Sequence, residues 1–184
     1  WQLEQWDGKS KPCEMGIHTC EVVDCSVEPA RVIENIAAAT TRIVRAGAMP
    51  VVLGGEHTVT YGVLKGLEAC QVGEFGIVQI DAHADLHTPF TTQSGNMHGM
   101  PLAAVIGEDN LENKAHEVDE NTIKQWNDLK GIGKIMPKVL PEDIVFISLR
   151  DYEREEKSLI EKYGMKVITT GELRRIGAEN VSRK

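Results

Sequence analysis

Side chains able to bind metal or move protons recur at every second position in Asp81-Ala82-His83-Ala84-Asp85. On extended backbone, residues i, i+2 and i+4 face one side, whereas on a helix His83 would lie about 200° around from Asp81. A straight strand would still hold the Asp81 and Asp85 backbones about 13 Å apart, too far for a single ion. The spacing therefore predicts a segment that leaves a strand and curls around a site able to hold more than one metal. Three ionisable groups on one face need a partner that offsets their repulsion and desolvation. Carboxylates and imidazole without thiolate suit Mn²⁺, Zn²⁺, Fe²⁺ or Co²⁺ and disfavour copper(I) or an iron–sulfur cluster. Two such ions ~3.5–4 Å apart would generate a hydroxide at neutral pH and clamp a substrate, which points to metal-assisted hydrolysis.

Two further constellations accompany this one: His57, which follows Gly54-Gly55-Glu56, and the group Arg150, Asp151 and Glu153. Each of the three sits at the carboxyl end of a short apolar run, at residues 49–53, 77–80 and 143–149. Ligands bind at such ends in open α/β sheets. Singly, the residues have plainer readings. His57 alone is more readily a satisfied core histidine, Asp81 a helix cap or turn residue, and Glu153 a surface partner for Lys157 at i+4. The paired glycines lack the G-x-x-x-x-G-K-[ST] pattern of a phosphate loop.

The elements that must position these groups alternate. A weak strand is expected at 17–23, and a helix opened by Pro29 runs to a stop at Gly47. A strand at 49–53 and a helix at 58–69 follow. After the strand at 77–80 come a helix at 98–106 and a long polar excursion at 107–138 with a short helix near 122–129. The strand at 143–149 leads to a charged helix ending at Gly164, a strand at 166–168, and a helix from Gly171 capped by Thr170. This order predicts a single α/β domain over residues 1–184: a three-layer, doubly wound, mostly parallel sheet with helices on both faces. The polar start, residues 1–16, reads as a loop or peripheral arm.

Bulk composition narrows the classes. The 184 residues are 41% hydrophobic and 26% charged, with a net charge of −8. That balance argues against a nucleic-acid or anionic-membrane binder, which would need a basic face. No apolar run approaches the ~20 residues of a membrane span, and no signal-peptide pattern opens the chain. Cys13, Cys20, Cys25 and Cys70 form no C-x-x-C pair and read as free thiols in a reducing cytoplasm.

In order and spacing, Gly54-Gly55-Glu56-His57, Asp81-Ala82-His83-Ala84-Asp85 and Ser94-Gly95-Asn96-Met97-His98-Gly99-Met100-Pro101 closely resemble the arginase branch of the ureohydrolases. The similarity extends from about Arg31 to Gly177. The first two motifs are shared with agmatinases, guanidinobutyrases and formimidoylglutamases, while the third is more particular to arginases. The resemblance implies hydrolysis of the guanidinium of L-arginine to L-ornithine and urea by a metal-bridging hydroxide, with two Mn²⁺ per subunit. It implies that His57, Asp81 and Asp85 hold one ion, and that His83 with the bridging Asp81 holds the second. His98 would transfer the proton to the leaving amine, as suits a histidine. Ser94 and Asn96 would meet the α-carboxylate, Glu153 the α-ammonium with Glu156 assisting, and His87 would stand on the same side. By the same analogy the protein is a cytoplasmic homotrimer or homohexamer.

Two departures fall on the amino-acid-recognition side. His87 stands where arginases usually carry asparagine, and Glu153 is one methylene longer than their aspartate. The second metal motif of the family, a D-x-D on a later strand, does not occur after Arg150, nor does the guanidinium-binding glutamate. The chain is therefore expected to be truncated at its carboxyl end, and at its amino end from Trp1, and the 184 residues alone to be inactive. Alternatives are the sister activities named above, a catalytically incompetent member acting as a binding or regulatory subunit, and a metal-free α/β binding module.

Overall fold

Three short apolar runs pair side by side into a parallel sheet: β1 (Ile77–Ile80), β2 (Ile144–Leu149) and β3 (Lys166–Thr169), in the order β1-β2-β3. The computed structural model describes residues 16–70, 75–131 and 135–184. Ile80 lies opposite Ile147, which brings the carboxyl ends of β1 and β2 together. An irregularity after Ile147, with Ser148 in a left-handed conformation (φ 73°), shifts the β2–β3 register at that same end. There the Thr170 hydroxyl donates to the Ser148 carbonyl at 2.6 Å.

The helices are α1 (Pro29–Arg45), α2 (Val59–Ala69), α3 (Pro101–Ile106), α4 (Glu120–Gly131), α5 (Arg154–Tyr163), α6 (Thr170–Ile176) and α7 (Ala178–Ser182). Pro29 opens α1, where a missing N–H costs nothing. Helices α1 and α2 pack closely because Gly62 and Gly66 lack side chains. A Cβ on Gly66 would fall 2.6 Å from Thr40 Cβ and 2.7 Å from the Ala37 carbonyl. Buried Ile144 and Phe146 of β2 join Leu102 and Val105 of α3, Leu159 of α5 and Tyr61 of α2 in one core.

The α/β character and parallel sheet are as expected. Val78 and Ile80 of β1 remain 63% and 73% exposed, so within the described residues one sheet face is open and the outer layer is incomplete. Two expected strands do not form. Residues 17–23 and 49–53 are irregular, with Val22 96% and Leu53 94% exposed. Apolar sequence alone does not make a strand, because the backbone N–H and C=O groups need a neighbouring strand, and neither segment pairs into the β1-β2-β3 sheet. The 107–138 segment is less irregular than its polarity suggests, since α4 spans twelve of its residues. The last cap also shifts by one residue: the Thr169 side chain accepts from Glu172 N–H at 3.1 Å, and Thr170 is the first helical residue. Most of the amino-terminal arm, residues 1–15 with Cys13, lies outside the described residues.

Candidate metal and substrate site

The segment after β1 leaves the sheet and turns, held from both sides. Asp81 N–H donates to the Ile147 carbonyl at 3.1 Å, and Arg150 and Asp151 N–H both donate to the Ala82 carbonyl at 3.0 Å. These bonds fix its start to the end of β2. On the far side, Leu102 N–H donates to the Asp85 carbonyl at 3.1 Å and His87 N–H to the Gly99 carbonyl at 2.9 Å, fixing it to the start of α3. Between them Asp85 takes a left-handed conformation (φ 52°), tolerated by aspartate more readily than by bulkier residues. This is the predicted curl.

The turn separates the triplet into two pairs within one cleft of about 550 Å³, lined by His57, Asp81, His83, Asp85 and His98 among others. In the first pair, His57 Nδ1 meets Asp85 Oδ2. That contact raises the His57 pKa, against burial, with the charges of Asp85, Asp81 and Glu56 acting in the same direction. In the second, His83 Nδ1 lies 3.3 Å from Asp81 Oδ1, and His83 Nε2 lies 3.5 Å from Asp151 Oδ2. Burial alone would raise the Asp81 carboxyl. The His83 N–H, donating at 2.9 Å, and the nearby imidazoles outweigh it and hold the group below its ordinary value.

His57 reaches the cleft because residues 55–58 form a bend and turn ahead of α2, where Glu56 Oε2 accepts from Thr58 N–H at 2.9 Å and from the Thr58 hydroxyl at 2.6 Å. Asp85 is steadied from below by Gln79, a buried polar residue in β1. Its Nε2 donates to the His83 carbonyl at 3.0 Å and lies 3.4 Å from Asp85 Oδ2. Both Gln79 and Asp151 belong to the site, and neither is in the expected ligand set. A glutamine in an otherwise apolar strand was the available signal, since a buried amide requires partners.

The donor types fit a divalent cation, and the cleft brings them together. Among the described residues, however, no three His, Cys, Asp or Glu side chains converge on one point that could hold an ion. The arrangement is a pair of half-sites: His57 with Asp85, and Asp81 with His83 and Asp151.

The expected substrate-recognition residues divide. His87, Glu153 and Glu156 form one cluster, with His87 Nε2 3.6 Å from Glu153 Oε2 and 3.6 Å from Glu156 Oε2. Glu156 is buried and ties the cluster to the metal turn, since it accepts from Leu86 N–H at 3.1 Å and from Glu153 N–H at 2.9 Å. Burial raises its pKa despite those bonds and the nearby His87. The second of these bonds is half of a capping box at the start of α5. Ser94 and Asn96 sit on an exposed loop braced by Gly95 N–H to Thr92 Oγ1 at 3.1 Å and Asn96 N–H to Ser94 Oγ at 3.2 Å. They do not line the cleft; Ser94 borders a larger cavity of about 1160 Å³ beside α1, α3 and α4. Cys20 and Cys25 are exposed free thiols, and among the described residues no helix is long and apolar enough to cross a membrane.

The chain is similar to known proteins in both sequence and fold. A family model described as the arginase family matches residues 1–184. An arginase from Brevibacillus brevis is 39% identical over 148 residues, covering 80% of this chain and 44% of that protein. The chain spans less than half the length of the curated relatives it matches. The crystal structure of arginase from Bacillus subtilis superposes with a TM-score of 0.70 at 32% identity, covering 83% of this chain and 47% of the other. Arginase from Bacillus caldovelox gives 0.69 at 33% identity, covering 91% and 52%. A formimidoylglutamase from Bacillus subtilis shares the fold at a TM-score of 0.62 and 14% identity. On the family match, the sequence identity and the shared architecture together, the chain belongs to the arginase family.

Proposed function

We propose that the protein is an arginase-type amidinohydrolase, which cleaves the guanidinium of L-arginine to L-ornithine and urea. The observation that carries the reading is the gathering of His57, Asp81, His83, Asp85 and His98 around one cleft. His57 and Asp85 would hold one Mn²⁺ and Asp81 with His83 a second, the remaining ligands being unassigned. When bound, the metal pair supplies Lewis acidity and a nucleophile at neutral pH, which the resonance-stabilised guanidinium carbon requires.

The chain's own groups orient the substrate and handle the proton. His98, at the cleft wall, is the donor of a proton from its imidazole to the departing nitrogen. Ser94 Oγ and the Asn96 amide are suited to the α-carboxylate, while Glu153, with Glu156 behind it and His87 beside it, faces the α-ammonium. By family analogy the protein works in the cytoplasm as a homotrimer or homohexamer.

The test is urea release by protein expressed from the full reading frame, supplied with Mn²⁺ and offered arginine, agmatine, 4-guanidinobutyrate and formimidoylglutamate separately. Urea from arginine supports the assignment. Turnover of another member alone refutes the substrate and retains the family chemistry.

A second reading, a catalytically incompetent binding or regulatory member, is favoured by the absence of three converging donors among the described residues. Near-stoichiometric loading with two Mn²⁺ per chain would count against it.

A further inference from the structure

Glu153 is already engaged on several sides. Gln93 Nε2 donates to Glu153 Oε2 at 3.2 Å, and His87 Nε2 lies 3.6 Å from the same oxygen. The Glu153 side chain also accepts the Glu156 backbone N–H as the reciprocal half of the α5 capping box. His87 is itself fixed, its Nδ1 lying 3.2 Å from Thr91 Oγ1 and its Nε2 shared with buried Glu156. Each donor already on a carboxylate reduces what an arriving ammonium gains there, and the capping bonds orient the group toward its helix.

We propose that Gln93 is a specificity-determining residue: together with His87 it engages Glu153, so that the site separates arginine only weakly from guanidino acids lacking an α-ammonium. The inference rests on the hydrolase reading above, in which Glu153 is the group that meets the α-ammonium. Gln93 adjoins Ser94 on the loop assigned to the carboxylate end, so its amide stands between the two halves of amino-acid recognition. A substrate with a terminal carboxylate and no α-amino group would leave this network intact.

The experiment compares kcat/KM for L-arginine and for 5-guanidinopentanoate, its analogue without the α-amino group. It uses Mn²⁺-loaded protein from the full reading frame, wild type and the Gln93→Met and Gln93→Ala variants. The wild-type ratio should lie within about tenfold of unity. Both variants should raise it in favour of arginine by about tenfold, the worth of one charge-assisted hydrogen bond returned to the ammonium. A purely structural role for Gln93 would move both substrates together and leave the ratio alone. Calorimetric titration of the same proteins with L-ornithine and 5-aminopentanoate reads the same preference without turnover. If neither substrate yields urea but the variants still shift binding toward ornithine, the specificity assignment holds and the hydrolase reading fails. A wild-type ratio above about a hundredfold, or a preference unmoved in both variants, overturns the proposal.

Discussion

Replacing Glu156 with alanine removes the acceptor that joins the metal turn to α5. Wild-type Glu156 is 4% exposed, and its carboxylate accepts from two backbone N–H groups, of Leu86 and of Glu153. Each hydrogen bond to a charged acceptor contributes about 1.5–3 kcal/mol, and the loss is offset in part because a buried charge no longer has to be desolvated. A net loss of about 2–3 kcal/mol follows, or roughly 5–10 °C in Tm for a chain of this size. The sign with pH is specific. Burial raises the Glu156 pKa above its ordinary 4.5. A carboxyl raised in the folded state adds stability that is fully present below the unfolded value and is lost as pH rises through the folded one. The difference between wild type and Glu156→Ala should therefore be larger at pH 4 than at pH 7. Urea unfolding followed by far-ultraviolet circular dichroism at the two pH values measures it. A loss under about 0.5 kcal/mol, or a difference that shrinks on acidification, would refute the role given to this residue.

Three further outcomes follow from the same contacts. Gly66→Ala should cost about 1–3 kcal/mol in urea unfolding, because the new methyl meets Thr40 and the Ala37 carbonyl across the α1–α2 contact; a neutral effect would mean the helices can separate freely. Asp109→Ala removes the acceptor of the Trp126 indole N–H and the ion-pair partner of buried Lys130. It should cost about 3 kcal/mol and alter the near-ultraviolet tryptophan signal, whereas an unchanged spectrum would contradict the arrangement. In metal-free protein, the raised His57 pKa adds stability fully present below 6.5 and lost as pH rises through the folded value. His57→Ala should flatten that decline between pH 6 and 9, and an unchanged slope would show that His57 is not its source.

The site motifs were legible because their spacing constrains geometry. The D-x-H-x-D triplet required a segment that leaves its strand and bends, and the left-handed Asp85 with its two flanking sets of backbone hydrogen bonds is that bend. The helix that follows Gly54-Gly55-Glu56-His57 was equally readable, as were β2 and α5. Residues 17–23 and 49–53 were misread because apolar content reports a preference for burial and not the presence of a pairing partner. The division of the triplet into His57–Asp85 and Asp81–His83–Asp151 was beyond a one-dimensional pattern, since it depends on which groups β2 and the 55–58 turn bring across the cleft. Gln93 carried no sequence signal, because its meaning comes from Glu153, sixty residues away.

The central claim is that the cleft lined by these two pairs binds metal, and calorimetric Mn²⁺ titration tests it most directly. Protein from the full reading frame should bind close to two ions per chain. His57→Ala and His83→Ala should each lose about one of them or weaken it by at least tenfold, as loss of one ligand requires. Unchanged stoichiometry and affinity in the His83→Ala variant would contradict the account.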